Sequence, residues 1–459
     1  MNVNRAFIMR RALVSLLFLV LPRIVLCQEK FEPIPQRLAS QYHIDFARKF
    51  FASPEVERAD RAKLHAALTD LESLKGKTIS SADNLQRALE LTDAVKVQFY
   101  RHYAYLYLRH AVNTQDEASL ADSSALDAEV SSDTAFFRNE LLEIDDSTLA
   151  AFVAQRPSLK TYLFAIDSVR RYRPYSLTLK EEELLSLTAP LNSAWQSELY
   201  DKLRERPQSN TVNASGPQRR AERFKQYYAA LAAQRDLYAF TLVRLAAARD
   251  RLARLRHFAD APSEAYFDSY WSRAQVDDLL ERVASNADLN KRYQRLCVDH
   301  VKRFTGYNDI NLWNMTERPP GLHLPRYTIT QASQIIRAAL APLGPDYGRE
   351  LAALLDPANG RMDIVPGGHR NPGGFSKGFI GTDSVFYCGG FTGHYNDVRV
   401  LAHESTHAVH RQLMNSNRVL APYAEGPHYL FEAFAIFSEF LLSDYLYGKE
   451  SDPIRKQYY

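Results

Sequence analysis

The stretch Leu401-Ala-His-Glu-Ser-Thr-His-Ala-Val-His410 carries two histidines four residues apart, with a glutamate directly after the first. On an α-helix a spacing of four returns a side chain to the same face one turn later, so His403 and His407 can reach one ion. Glu404 stands beside them and is not needed as a ligand. It can take a proton from a water that a divalent metal has acidified from its bulk pKa to about 7, which is the work of a general base in hydrolysis. Leu401, Ala402, Ala408, Val409 and Leu413 fall on the face turned away and predict a helix whose back is buried.

A motif this short arises by chance, and a helix with merely hydrogen-bonded histidines would carry the same letters. A catalytic zinc typically takes three protein ligands and keeps one open position. Twenty-five residues beyond His407, the segment Phe431-Glu-Ala-Phe-Ala-Ile-Phe-Ser-Glu-Phe440 reads as an apolar helix with two acids, Glu432 and Glu439, seven residues apart on one face. A charge in such a helix is costly unless it is paired or metal-bound. Glu432 is therefore the candidate third ligand, and Glu439 a candidate for orienting a ligand histidine. Structural salt bridges are the competing explanation. Asp397 and His410 flank the motif and could also orient the histidines, whereas His394 and His428 read as structural.

The elements that must position these groups are mostly helical. From about Pro33 to Arg204 apolar residues recur at three- and four-residue spacing, as in Arg58–Ser73, Asn84–Arg109 and Lys180–Leu203, with Thr178 a candidate cap. Arg206–Arg220, polar with two prolines and a glycine, is the candidate linker, and it holds an Asn213-Ala-Ser sequon. Helices resume from Ala221 to about Thr305. Tyr327–Leu355 reads as a helical pair broken near Leu343-Gly-Pro. Gly360–Gly393 then turns glycine-rich, with β-like runs at Asp363–Val365 and Ser384–Cys388, and its glycines read as turn residues.

The 459 residues exceed one compact core. Arg5, Arg10 and Arg11 precede the apolar run Ala12–Leu21, which is too short to span a bilayer, and Val25 and Cys27 suit a cleavage site. Residues 1–27 are thus expected to be a signal peptide for an exported protein, periplasmic or secreted. Its removal takes away four arginines and moves the formal charge from +3 to −1, which leaves no bulk attraction to nucleic acid. No second apolar run is long enough for a membrane span. Cys297 and Cys388 remain, and two buried thiols are expected rather than a bridge.

From roughly Ser158 to Tyr447 the chain resembles the oligoendopeptidase F group of the thimet oligopeptidase-like (M3) zinc peptidases. The resemblance rests on Arg173-Pro-Tyr-Ser-Leu-Thr-Leu-Lys-Glu-Glu-Glu183, Tyr327-Thr-Ile-Thr-Gln-Ala332, Leu343-Gly-Pro-Asp-Tyr-Gly348, Gly360-Arg-Met-Asp363, Asp397-Val-Arg-Val-Leu-Ala-His-Glu404 and the Glu432–Glu439 helix, in the family's order. It implies a mainly α, two-lobed metallopeptidase with a deep channel and a small β-sheet next to the zinc-binding helix. The expected division is a helical domain over 28–207 and a catalytic domain over 208–459. The resemblance implies one Zn2+ ion held by His403, His407 and Glu432, oligopeptide substrates, and a strand beside the site that pairs with substrate backbone. Ser384, Val385, Phe386, Tyr387 and Cys388 occupy the matching place. Two departures stand out. Thr406 replaces a usual glycine before the second histidine, and the sequence stops at Tyr459, 27 residues after Glu432, where relatives continue with Tyr and His residues that bind substrate. The expected activity is endopeptidase cleavage of short peptides. The alternatives are an exopeptidase of the same architecture, or a zinc- or peptide-binding protein weakened by the early stop.

Overall fold

The structure, a computed structural model, describes residues 31–189, 199, 216–424 and 426–459. The expected signal peptide, the Asn213 sequon and most of the candidate linker lie outside the described residues.

Side-chain caps divide the first half into helices. Ser53 Oγ accepts from Val56 N at 3.3 Å and Pro54 occupies the first turn of α1 (Pro54–Glu72). Ser81, Asp116 and Asp145 cap α2 (Ala82–Val112), α3 (Glu117–Glu143) and α4 (Asp146–Gln155) in the same way. α5 (Leu163–Arg170) and α6 (Leu179–Ala189) follow. The expected cap of α6 is formed: Thr178 Oγ1 accepts from Glu181 N, and Thr178 N donates to Glu181 Oε2 at 2.8 Å. Leu64, Leu71, Leu85, Leu126, Leu159 and Ile166 are fully buried in the core these helices share. Each such burial stabilises by about 1.5–3 kcal/mol.

The helical reading of Ala221–Thr305 resolves into five helices, α7 (Pro217–Ala232), α8 (Arg235–Leu255), α9 (Ala261–Asp268), α10 (Arg273–Ser285) and α11 (Ala287–Thr305). Asp260 caps α9, and Ser272 with Gln275 forms a capping box on α10. The candidate linker is corrected at its end, because Pro217–Arg220 is already the first turn of α7. Proline and polar residues suit a first helical turn as well as a loop, so the sequence alone did not separate them. On α10 and α11 the apolar residues Leu279, Leu280, Val283, Leu289, Tyr293 and Leu296 remain exposed.

The second core forms around α12 (Ile329–Ala339) and α13 (Pro345–Leu355), separated at Gly344 (φ 98°) as the sequence predicts. A three-stranded sheet follows: β1 (Met362–Asp363), β2 (Gly374–Phe379) and β3 (Thr382–Cys388), in the order β1-β3-β2. β1 runs parallel to β3 with Met362 opposite Phe386, and β2 runs antiparallel to it with Ser376 opposite Phe386. Gly381, at φ 77°, makes the tight β2–β3 turn. The chain ends with α14 (Tyr395–Ser416) and α15 (His428–Lys449). Ile329, Ile336, Leu354, Phe386, Val398, Ala402, Ala408, Val409 and Leu442 form the core beneath the sheet and these helices. The fold is therefore mainly α with a small sheet beside the helix that carries the His-Glu motif.

Helix α2 ties the two cores together: its Tyr105, Leu106 and Leu108 pack with Phe50 and Phe51 and with Val385 and Tyr387 of β3. A buried polar group joins α1 to α2. His102 bonds to Glu57 at 2.8 Å, and Arg61 grips Glu57 through two bonds of 2.7 and 2.9 Å. Buried charge is tolerated when paired in this way. Cys297 and Cys388 are free thiols, each partly buried rather than fully so.

Candidate metal centre

α14 begins with a cap in which Asp397 Oδ2 accepts from Thr392 N at 2.8 Å, Thr392 Oγ1 at 2.6 Å and His394 N at 3.3 Å. Its back packs into the core through Leu401, Ala402, Ala408 and Val409. Small residues let α15 lie close: Ala435 is fully buried, and Ser438 Oγ reaches Ala402 O at 3.4 Å. That close approach brings the acids of α15 to the histidines of α14.

His403 Nε2 and His407 Nε2 stand 3.2 Å apart. Glu432 Oε2 lies 3.3 Å from the first and its Oε1 3.5 Å from the second. These donor atoms all lie within 4.8 Å of one another. Zinc at about 2.0–2.1 Å from each donor in tetrahedral geometry requires donor–donor edges of about 3.3–3.4 Å. The two imidazole nitrogens are spaced close to that edge, and each faces a different oxygen of Glu432 at a similar distance, so this donor set of two imidazoles and a carboxylate fits a zinc ion. Half of the Glu432 side chain is exposed, so the site opens to solvent on its side.

The surroundings prepare the ligands. Burial, followed by the nearby His403, Arg411, His410 and His428, pushes His407 down to about 3, which keeps its Nε2 lone pair free. His403 Nδ1 donates to Glu439 Oε1 at 2.7 Å, and Arg399 Nη1 donates to Glu439 Oε2 at 2.6 Å. A carboxylate can only accept, so this bond assigns the His403 proton to Nδ1 and turns Nε2 toward the site. Glu404 is nearly buried, and burial pushes its carboxyl up to about 7; Glu432 adds to the rise, while His403 and Arg411 oppose it. The edge strand lies against Glu404. A Cβ on Gly374 would fall 3.1 Å from Glu404 Cγ and 3.2 Å from Val400 Cγ1, so any larger residue there would press on the Glu404 side chain.

The structure thus brings together His403, His407, Glu432, Glu404 and Glu439, and sets the other candidates elsewhere. Asp397 serves the helix cap, not the imidazoles. His410 stacks on Phe431 with ring centroids 4.7 Å apart and meets Phe434 edge-on, so it joins α14 to α15 instead of orienting a ligand. The expectation for Ser384, Val385, Phe386, Tyr387 and Cys388 is corrected. They form the central strand: β2 pairs along one side, and on the other β1 takes Phe386 and Tyr387 while Ser384 N donates to Gln412 Oε1 at 2.9 Å, which leaves no continuous edge for a peptide backbone. β2 is the edge strand nearest the motif.

Sequence reasoning missed Arg399, the contact of Tyr347 with Thr406, and the pairing of Ser376 with Arg411. Arg399 lies four positions before His403, a spacing that could have marked it as a partner on the same face. Thr406, nearly buried, donates to Ala402 O at 2.9 Å and meets the Tyr347 hydroxyl of α13 at 2.9 Å. No local signal announces that contact, nor the one between Ser376 and Arg411.

The chain is similar to known oligopeptidases along most of its length. The family model described as Oligopeptidase F matches residues 140–205. Oligopeptidase PepF of Bacillus subtilis (strain 168) is 24% identical over 436 residues, covering 89% of this chain and 63% of PepF. The chain thus spans less than two thirds of that relative's length. Among solved structures, a protein from Chlamydophila abortus superposes with a TM-score of 0.68 at 19% identity, over 92% of this chain and 72% of its own. Oligoendopeptidase-F from Enterococcus faecium gives 0.58 at 19% identity, over 87% and 69%. These structural likenesses establish the fold.

Proposed function

We propose that this chain, an oligoendopeptidase F-like member of the M3 peptidases, is a zinc-dependent oligopeptidase that hydrolyses peptide bonds of short peptides. The observation that carries the reading is the convergence of His403 Nε2, His407 Nε2 and the Glu432 carboxylate within reach of one ion. A zinc ion held there supplies a Lewis acid that acidifies a water and polarises a peptide carbonyl.

The chain's own groups do the rest. Glu404, beside the ligands, accepts the water's proton as attack proceeds and passes it to the leaving amine. Its place under β2 shields it from bulk solvent, which strengthens its interaction with the reacting atoms. Glu439 fixes the tautomer of His403. The free edge of β2 can pair with the backbone of an extended peptide and so grip sequences of varied composition. Residues 1–27 act as the export signal, and the peptides met outside the cytoplasm are the substrates. No helix of the described residues is long and apolar enough to cross a membrane.

The test pairs the protein with Glu404→Gln. Zinc content is measured by atomic emission, and cleavage with a quenched fluorescent peptide library. Both proteins should hold about one zinc per chain, and the variant should lose about 10²–10⁴-fold in turnover. Folded protein without stoichiometric zinc, or cleavage indifferent to Glu404, sinks the proposal. Zinc without cleavage in either protein marks a zinc- or peptide-binding protein instead.

A further inference from the structure

An enzyme that trims peptides from the C-terminus, or one selective for acidic peptides, needs a cation near the scissile bond, and the sequence alone does not place one. The structure offers a candidate on the helix that carries the histidines. Arg411 sits on α14 four residues past His407. Its Nη1 donates to Ser376 Oγ of edge strand β2 at 2.5 Å. Its guanidinium lies 5.4 Å from the ring centroid of Phe431, the neighbour of Glu432 on α15. The group therefore spans from the edge strand to the ligand helix, just beyond the histidines.

Arg361, Arg370 and Arg399, nearby in the same half of the fold, each face an acid: Glu350, Asp363 and Glu439 respectively. Among the described residues no carboxylate forms an ion pair with Arg411; Glu404 and His407 feel its field without bonding to it. A half-buried cation without a salt-bridge partner costs stability, and a guanidinium has five donors set for two-point binding of a carboxylate. The Ser376 bond and the Phe431 ring hold the fork in place and leave donors over.

We propose that Arg411 forms a carboxylate-binding subsite, so that the favoured peptides carry a carboxylate near the scissile bond, either an acidic side chain or the C-terminus. This rests on the peptidase reading of the site. Both sources offer the same two oxygens. A side-chain source makes the enzyme an endopeptidase with an acidic preference, and a C-terminal source makes it trim peptide ends.

The test uses matched peptides, with Glu or Gln at each position flanking the cleaved bond and with a free or amidated C-terminus. kcat/KM is measured for the protein, Arg411→Gln and Arg411→Lys. The protein should favour one carboxylate peptide over its neutral match by about tenfold to a hundredfold. The ratio should fall to near one in Arg411→Gln and lie between in Arg411→Lys, which keeps the charge without the fork. The position at which the ratio changes identifies the source. Equal ratios in the protein and Arg411→Gln overturn the proposal. If no peptide is cleaved, calorimetric binding of the same peptides to Glu404→Gln and Glu404→Gln/Arg411→Gln still decides. Preferential binding of a carboxylate peptide that vanishes with Arg411 upholds the subsite while the peptidase reading fails. Equal or undetectable binding refutes the subsite.

Discussion

Replacing Glu439 by alanine asks how much of the metal affinity is set one layer behind the ligands. Glu439 accepts from His403 Nδ1 at 2.7 Å and from Arg399 Nη1 at 2.6 Å. Its side chain is 18% exposed, as is that of His403, so water competes weakly for the bond between them. A hydrogen bond to a charged group is worth about 1.5–3 kcal/mol. Arg399 is 43% exposed and can rehydrate, so the loss falls mainly on His403. Without the acceptor, His403 loses its fixed tautomer and ring orientation. Loss of such a partner costs about 10–100-fold in metal affinity, or roughly 1.4–2.7 kcal/mol. Chelator competition measures the zinc dissociation constant of the protein, Glu439→Ala and Glu439→Gln. Glutamine keeps an acceptor oxygen without the charge and should fall between the other two. If folded Glu439→Ala binds zinc as tightly as the unmodified chain, the carboxylate only pairs with Arg399 and the reasoning is wrong.

Two further outcomes follow from the same geometry. Thr406→Val should destabilise the protein by about 1–3 kcal/mol in urea unfolding, because the buried Tyr347 hydroxyl loses its acceptor; adding Tyr347→Phe should recover part of that loss, and strictly additive losses would show that the two groups do not interact. The acid limb of kcat/KM should reflect Glu404. A general base must be ionised, so activity falls as pH drops through its pKa. Burial sets that pKa at about 7 before a metal cation is counted, and the cation draws it back toward 4.5, so the limb should lie between these values. A limb that is unchanged in Glu404→Asp would assign it to another group.

The parts of the site legible in the sequence are those fixed by helix geometry and by the cost of buried charge. A four-residue spacing puts His403 and His407 on one face whatever surrounds them. Glu432 and Glu439 are conspicuous because an apolar helix such as Phe431–Phe440 does not bury acids without cause. Long-range placement is what the letters withhold. Asp397 lies near the histidines in sequence, but its carboxylate is captured by the unpaired N–H groups at the start of α14. β2 reads as turn because glycine, serine and lysine are poor strand formers, yet pairing with β3 and contact with α2 and α14 impose the strand. Once that strand exists, β3 becomes central and its free edge is gone, so a single misread strand also displaced the expected peptide-binding residues.

The departure at Thr406 shows how the site is braced. A glycine there would let neighbouring elements close in. A threonine needs room, and its β-branched side chain is stiff. The room is used: Tyr347 of α13 reaches Thr406, while Glu439 of α15 reaches His403. α14 is thereby held by hydrogen bonds to two different helices, one setting where the helix sits and the other setting how an imidazole points. The metal geometry depends directly on the second and only indirectly on the first. Loosening the Tyr347–Thr406 contact should therefore lower global stability with a small effect on zinc affinity, whereas Glu439→Ala should do the reverse. Equal effects on both quantities from both sites would mean that the ligand geometry is set by the rigidity of the whole core instead of by the carboxylate behind His403.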